Sequence, residues 1–73
     1  MALETIRSEV TGTVFQVLVA PGAQVAADDT LILIESMKME IPITATCAGT
    51  VREVRVTEGD GVADGQDVVI VER

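Results

Sequence analysis

The 73-residue sequence has no histidine, tryptophan or tyrosine, one phenylalanine (Phe15) and one cysteine (Cys47). Without histidine the chain lacks the side chain most used for proton transfer near neutrality and for holding transition metals. A single cysteine excludes an internal disulfide and a cysteine-based zinc cage. No Gly-rich phosphate loop is present either, so a stand-alone enzyme is disfavoured and no metal site is expected. Positive charge is also scarce. Five basic residues face 12 acidic ones, a net charge of −7, which disfavours nucleic acid and anionic membrane surfaces as partners. Such a charge suits a soluble chain that is monomeric when isolated. No apolar run is long enough to span a membrane. Met1 to Val10 contains Glu4, Arg7 and Glu9 and does not read as a signal peptide, so a cytoplasmic location is expected.

What remains is apolar and β-branched. Hydrophobic residues make up 48% of the chain and aromatics 1%. The length allows one domain, 1–73, close to the lower limit for a core without disulfide or metal. Stiff, small, valine-rich side chains pack well between thin sheets and poorly in a helical bundle, and no stretch has a capped helical period.

An internal repeat organises these residues. Shifting the chain by 37 positions places Gly12-Thr13-Val14 on Gly49-Thr50-Val51, Val17 and Val19 on Val54 and Val56, and Gly22 on Gly59. Val25-Ala26 falls on Val62-Ala63, Leu31–Ile34 on Val68–Val71, and Glu35 on Glu72. Each copy reads as strand, turn, short strand, turn, strand. Gly22 and Gly59 mark one turn; Asp28-Asp29 and Asp64-Gly65 mark the next. Gly12 and Gly49 are expected as turn or bulge glycines. Leu31–Ile34 and Val68–Val71 are continuously apolar, as strands covered on both faces are. Two such halves bury their apolar faces by interlocking about a pseudo-two-fold axis. The expected fold is all-β: a flattened barrel-sandwich of two antiparallel sheets with about eight strands. The segment joining the halves then lies at one end, and the termini lie at the matching corner of the other.

The joining segment is Glu35-Ser36-Met37-Lys38-Met39-Glu40-Ile41-Pro42-Ile43. It should form a hairpin tip, yet Met37 and Lys38 stand where a two-residue turn would recruit Asn or Gly. A local rule broken at a sharp turn points to function. Lys38 is the only lysine, and arginine cannot replace it as an acylable amine. One amine is thus presented at a tip between two flexible thioethers, side chains that adapt to more than one partner surface.

The stretch Glu-Ser-Met-Lys-Met-Glu resembles the attachment motif of biotinyl domains and biotin carboxyl carrier proteins, where the lysine usually stands in Ala-Met-Lys-Met. Ser36 replaces the usual alanine. The likeness extends from about Ile6 to Glu72, and the chain is similar to short biotin/lipoyl attachment proteins. Between Val17 and Val25 there is no room for the protruding thumb of some carriers. The resemblance implies a biotin carboxyl carrier without catalytic residues of its own. Biotin, as covalent cofactor, would be amide-linked to Lys38 by a biotin–protein ligase. The tethered ring would carry a carboxyl group from a biotin carboxylase to a carboxyltransferase subunit, tethering replacing free diffusion. Met37, Met39, Glu35 and Glu40 would serve recognition. Two alternatives stay open: a lipoyl carrier, whose tip is usually Asp-Lys-Ala, and an unmodified interaction module of the same fold. The acceptor of the carboxyl group is not encoded in this chain. Cys47 is expected to be a small strand-end residue.

Overall fold

The two most apolar runs of the sequence become the two central strands of the molecule. In the computed structural model, which describes residues 2–73, Leu31, Ile32 and Ile34 and their repeat mates Val68, Val69 and Val71 are all fully buried. They lie in β4 (Thr30–Ser36) and β8 (Asp67–Glu72). The other strands are β1 (Leu3–Arg7), β2 (Gly12–Val17), β3 (Gln24–Val25), β5 (Met39–Thr44), β6 (Gly49–Val54) and β7 (Gly61–Val62). They form two four-stranded antiparallel sheets, ordered β1-β8-β6-β3 and β5-β4-β2-β7. The expected eight-stranded, two-sheet architecture is borne out.

The 37-residue shift carries β2, β3 and β4 onto β6, β7 and β8, and the second sheet's order onto the first. Each sheet draws strands from both copies, so neither half has a complete sheet alone. β2 pairs with β7 through Gly12↔Val62, and β6 with β3 through Gly49↔Val25. The core repeats the same symmetry: Ile6 with Ile43, Val14 with Val51, Val25 with Val62. Val56 is buried where its mate Val19 is only half-buried, and one core position breaks the symmetry in chemistry. Buried Ser8 stands where the second copy has Ala45. Its hydroxyl donates to the Val10 carbonyl and accepts from the Val10 amide, which removes the cost of burying it.

Turn chemistry follows the sequence, with one exception. Gly22 and Gly59 both have φ of 94°, a conformation that costs a glycine nothing. Asp28 (φ 72°) occupies the left-handed position that Gly65 (φ 86°) fills in the second copy. Gly12 and Gly49 are neither turn nor bulge glycines. Each opens a strand where the backbone passes against its neighbour: a Cβ at Gly12 would strike the Glu35 carbonyl oxygen, and one at Gly49 the Glu72 carbonyl oxygen. The bulges lie further on, at Phe15 in β2 and Arg52 in β6, where the pairing register slips. Cys47 sits in the bend between β5 and β6, half-buried against the core.

The termini close the pseudo-symmetric corner as expected. Leu3 pairs with Glu72, and the Arg73 amide donates to the Ala2 carbonyl at 2.9 Å. The shift carries this corner onto the Lys38 hairpin. The two corners therefore occupy opposite ends of a body 36 Å long and 17 Å across.

Candidate functional site

β4 and β5 form a tight hairpin. Ser36 pairs with Met39, leaving Met37 and Lys38 as the two turn residues. Both have positive φ, 53° and 67°, the signature of the type I′ turn whose twist matches the strands it joins. A side-chain-bearing residue in this region is strained by up to about 1–2 kcal/mol. The β-ladder below enforces the turn, because Glu35↔Glu40, Ile34↔Ile41, Leu33↔Pro42 and Ile32↔Ile43 hold its register. Counting from the Ser36↔Met39 pair, Pro42 falls on a pair that exchanges no ladder bonds. Its missing N–H therefore costs nothing, and on the free edge it discourages strand addition.

The strain is removable. Replacing Met37-Lys38 by Asn-Gly should raise unfolding stability by about 1–2 kcal/mol, read by urea titration, while deleting the amine. A neutral or destabilising result would show that the turn carries no strain. The native residues hold the turn at a cost that serves no packing need, as expected of a site selected for use.

Lys38 is exposed, and among the described residues it makes no ion pair. Its flanks are exposed as well: Met37 is 92% exposed and Met39 63%. These thioethers contribute next to nothing to the core and are free to meet another surface. Beneath them Glu35 and Glu40 face each other across the two strands, both exposed. Like charges directly opposite cost a few tenths of a kcal/mol or more. Neither carboxylate has a cationic partner within the described residues.

All five predicted site residues therefore share one tip, and the structure joins Ser36, Thr11 and Gly12 to it. Ser36 is more than a small substitute, because its hydroxyl donates to the Thr11 carbonyl at 3.0 Å. The Thr11 hydroxyl in turn accepts from the Asp64 amide at 3.1 Å, tying the hairpin base to the β7–β8 turn. Gly12 lets β2 pass close beneath Glu35. A hydroxyl two residues after an apolar run signals none of this by itself. Gly12, in contrast, is marked by the repeat, and a close strand approach rather than a turn or bulge is what requires it.

An exposed, sterically open amine on a stiff two-residue turn fits a covalently carried group: one nucleophilic atom, nothing overhanging it, and a rigid base. Fold and tip together fit a domain built to carry a covalently attached group. A family model described as "Biotin-requiring enzyme" matches residues 4–72, and the chain belongs to this biotin/lipoyl attachment family. It is 41% identical over 68 residues to the biotinylated protein TB7.3 homolog of Mycobacterium leprae, covering 93% of this chain and 96% of that protein. It is 41% identical over 66 residues to the biotin/lipoyl attachment protein of Bacillus subtilis, covering 90% and 89%. Among solved structures it superposes on Kluyveromyces lactis urea carboxylase with a TM-score of 0.93 at 35% identity, over 99% of this chain and 6% of that one.

Proposed function

We propose that the protein is a biotin carboxyl carrier whose acceptor is the Lys38 amine. The observation that carries this reading is a lone lysine at an exposed, strained turn between two exposed methionines. The biotinylated relative from Mycobacterium leprae, aligned over nearly both whole chains, supports biotin as the carried group. In the attachment step the unprotonated Lys38 Nζ attacks the carbonyl carbon of an adenylate-activated biotin. The N–C bond forms, the C–O bond to phosphate breaks, AMP leaves, and the amine proton passes to solvent. When attached, biotin supplies a ureido nitrogen that accepts and releases a carboxyl group. The chain's own contribution is mechanical. The hairpin fixes the root of the arm, the Ser36–Thr11 bond braces that root, and Met37 and Met39 offer adaptable apolar contact to whichever protein approaches. The partners are a biotin–protein ligase and the carboxylase and carboxyltransferase components of a biotin-dependent carboxylase.

Incubating the protein with ATP and either biotin plus a biotin–protein ligase or lipoate plus a lipoate ligase, then measuring intact mass, tests the reading. A single biotinyl adduct is expected and little lipoyl adduct. A lipoyl adduct without a biotinyl one would replace biotin by lipoate, the second reading left open by the Bacillus subtilis relative's name.

A further inference from the structure

The two copies of the repeat share one backbone, so each is a control for the other's surface. They match in the core and diverge on the outside. In both copies the strand after the glycine shows the same burial order: inward at Val14 and Val51, outward at the next two residues, inward again at Val17 and Val54. In the second copy the outward positions are Arg52, Glu53 and, just beyond the strand, Arg55. In the first they are Phe15, Gln16 and Leu18. Phe15 is 48% exposed and Leu18 45%, although the same fold carries charge there in its other half.

The consequence for the acids is specific. Arg52 pairs with Glu72 at 3.0 Å, and Glu72 is the repeat mate of Glu35. Where an arginine could neutralise Glu35, Phe15 stands instead. The other ion pairs, Arg7–Asp67, Arg55–Glu53 and Arg73–Glu4, also lie on the β1-β8-β6-β3 side. The lysine-bearing sheet has no ion pair among the described residues. Its outer face runs from Leu18 and Phe15 past the Leu33–Pro42 pair to Glu35–Glu40, and ends at the Met37-Lys38-Met39 tip. Four of the five large exposed apolar side chains lie on this sheet and its hairpin; the fifth, Leu3, is at the terminal corner. Gln16 stands opposite Leu33 and Thr13 opposite Glu35 on the same face, so exposed apolar side chains alternate with neutral polar ones above an acidic margin with no ion pair among the described residues, a mixture common in protein-binding surfaces.

Its occupant follows from what each partner can read. Proteins that act after acylation can grip the carried group itself. The acylating enzyme meets a bare lysine amine, chemically like any other, and must draw its selectivity from the surrounding surface. We propose that the outer face of the lysine-bearing sheet, Phe15, Leu18, Leu33 and Pro42 with the Glu35–Glu40 pair, is the docking surface for the enzyme that acylates Lys38. That enzyme offers an apolar patch edged by cationic side chains. The proposal rests on Lys38 being the acylated residue.

The test exchanges surfaces between the copies. Phe15→Arg with Leu18→Arg installs what the second copy already tolerates, and Arg52→Phe with Arg55→Leu is the mirror exchange on the opposite sheet. Steady-state acylation is measured with whichever of biotin–protein ligase or lipoate ligase modifies the unaltered protein, and folding is checked by circular dichroism. The first pair should lower kcat/KM about ten- to a hundred-fold, chiefly through KM. The mirror pair should stay within about two-fold. Should the arginine pair fail to fold, Phe15→Gln with Leu18→Thr is judged by the same measure. Unchanged kcat/KM in the folded first pair, or equal losses in both pairs, overturns the docking face. A lipoyl product corrects the carried group and leaves the docking test in force. An unaltered protein acylated by neither ligase overturns both the surface and the function.

Discussion

Lys38→Ala is expected to abolish biotin attachment completely while leaving the sandwich folded. Lys38 is the only lysine of the chain, so no neighbouring side-chain amine can inherit the reaction. Arginine offers no substitute, because its guanidinium stays protonated and is a poor nucleophile, and Lys38→Arg should be equally inert. The fold should not notice either change. The Lys38 side chain is exposed and makes no ion pair among the described residues, and its removal empties no core volume. Alanine at φ 67° is about as strained as lysine there, so unfolding free energy should move by no more than about 0.5 kcal/mol. Intact mass after incubation with ligase, biotin and ATP reads the first claim, and thermal unfolding the second. A biotinyl adduct on either variant would refute the assignment of Lys38. A large loss of stability would mean that the turn is held by the lysine side chain rather than by the ladder beneath it.

Much of this is legible in the sequence, for a reason particular to duplicated chains. A repeat supplies two noisy copies of one pattern, and their agreement separates structural positions from chance. The pairing of Leu31–Ile34 with Val68–Val71 marked the central strands, and the lysine hairpin fell at the junction because the halves had to meet somewhere. The poor turn residues at Met37 and Lys38 were legible as a broken rule, and their positive φ values show the rule being obeyed at a conformational cost. What could not be read was register and proximity. That Phe15 is a bulge residue, that Glu35 lies directly across from Glu40, and that Ser36 reaches Thr11 all depend on which residue stands opposite which. A linear pattern fixes the faces of a strand but not its slide along its neighbour. The surface difference between the copies is present in the sequence as Phe15 against Arg52 and Leu18 against Arg55. Its consequence depends on the Arg52–Glu72 ion pair, which only the fold brings together.

Gly12→Ala and Gly49→Ala should each destabilise the protein strongly, and only the first should also impair acylation. A methyl group at Gly12 would collide with the Glu35 carbonyl oxygen and sit 2.9 Å from Ile34 Cγ2. At Gly49 it would collide with the Glu72 carbonyl oxygen and sit 2.8 Å from Val71 Cγ1. In both cases the obstacle is backbone of a central strand, so no change of rotamer gives relief and the strands must part. A cost of about 2–4 kcal/mol is expected for each. In a domain of this size that lowers Tm by roughly 10–25 °C. The sites differ in what the parting strand carries. Displacing β4 at Glu35 moves the strand two residues before the Met37-Lys38 turn. Displacing β8 at Glu72 moves only the corner where the termini meet. Measured at a temperature where both variants are folded, Gly12→Ala should slow acylation of Lys38 by about ten-fold, since small misplacements of a reacting group are costly. Gly49→Ala should acylate at the unaltered rate. Equal acylation in the two variants would mean that the hairpin's geometry is independent of β2, and that the Ser36–Thr11 bond and the ladder to β5 suffice to hold the tip.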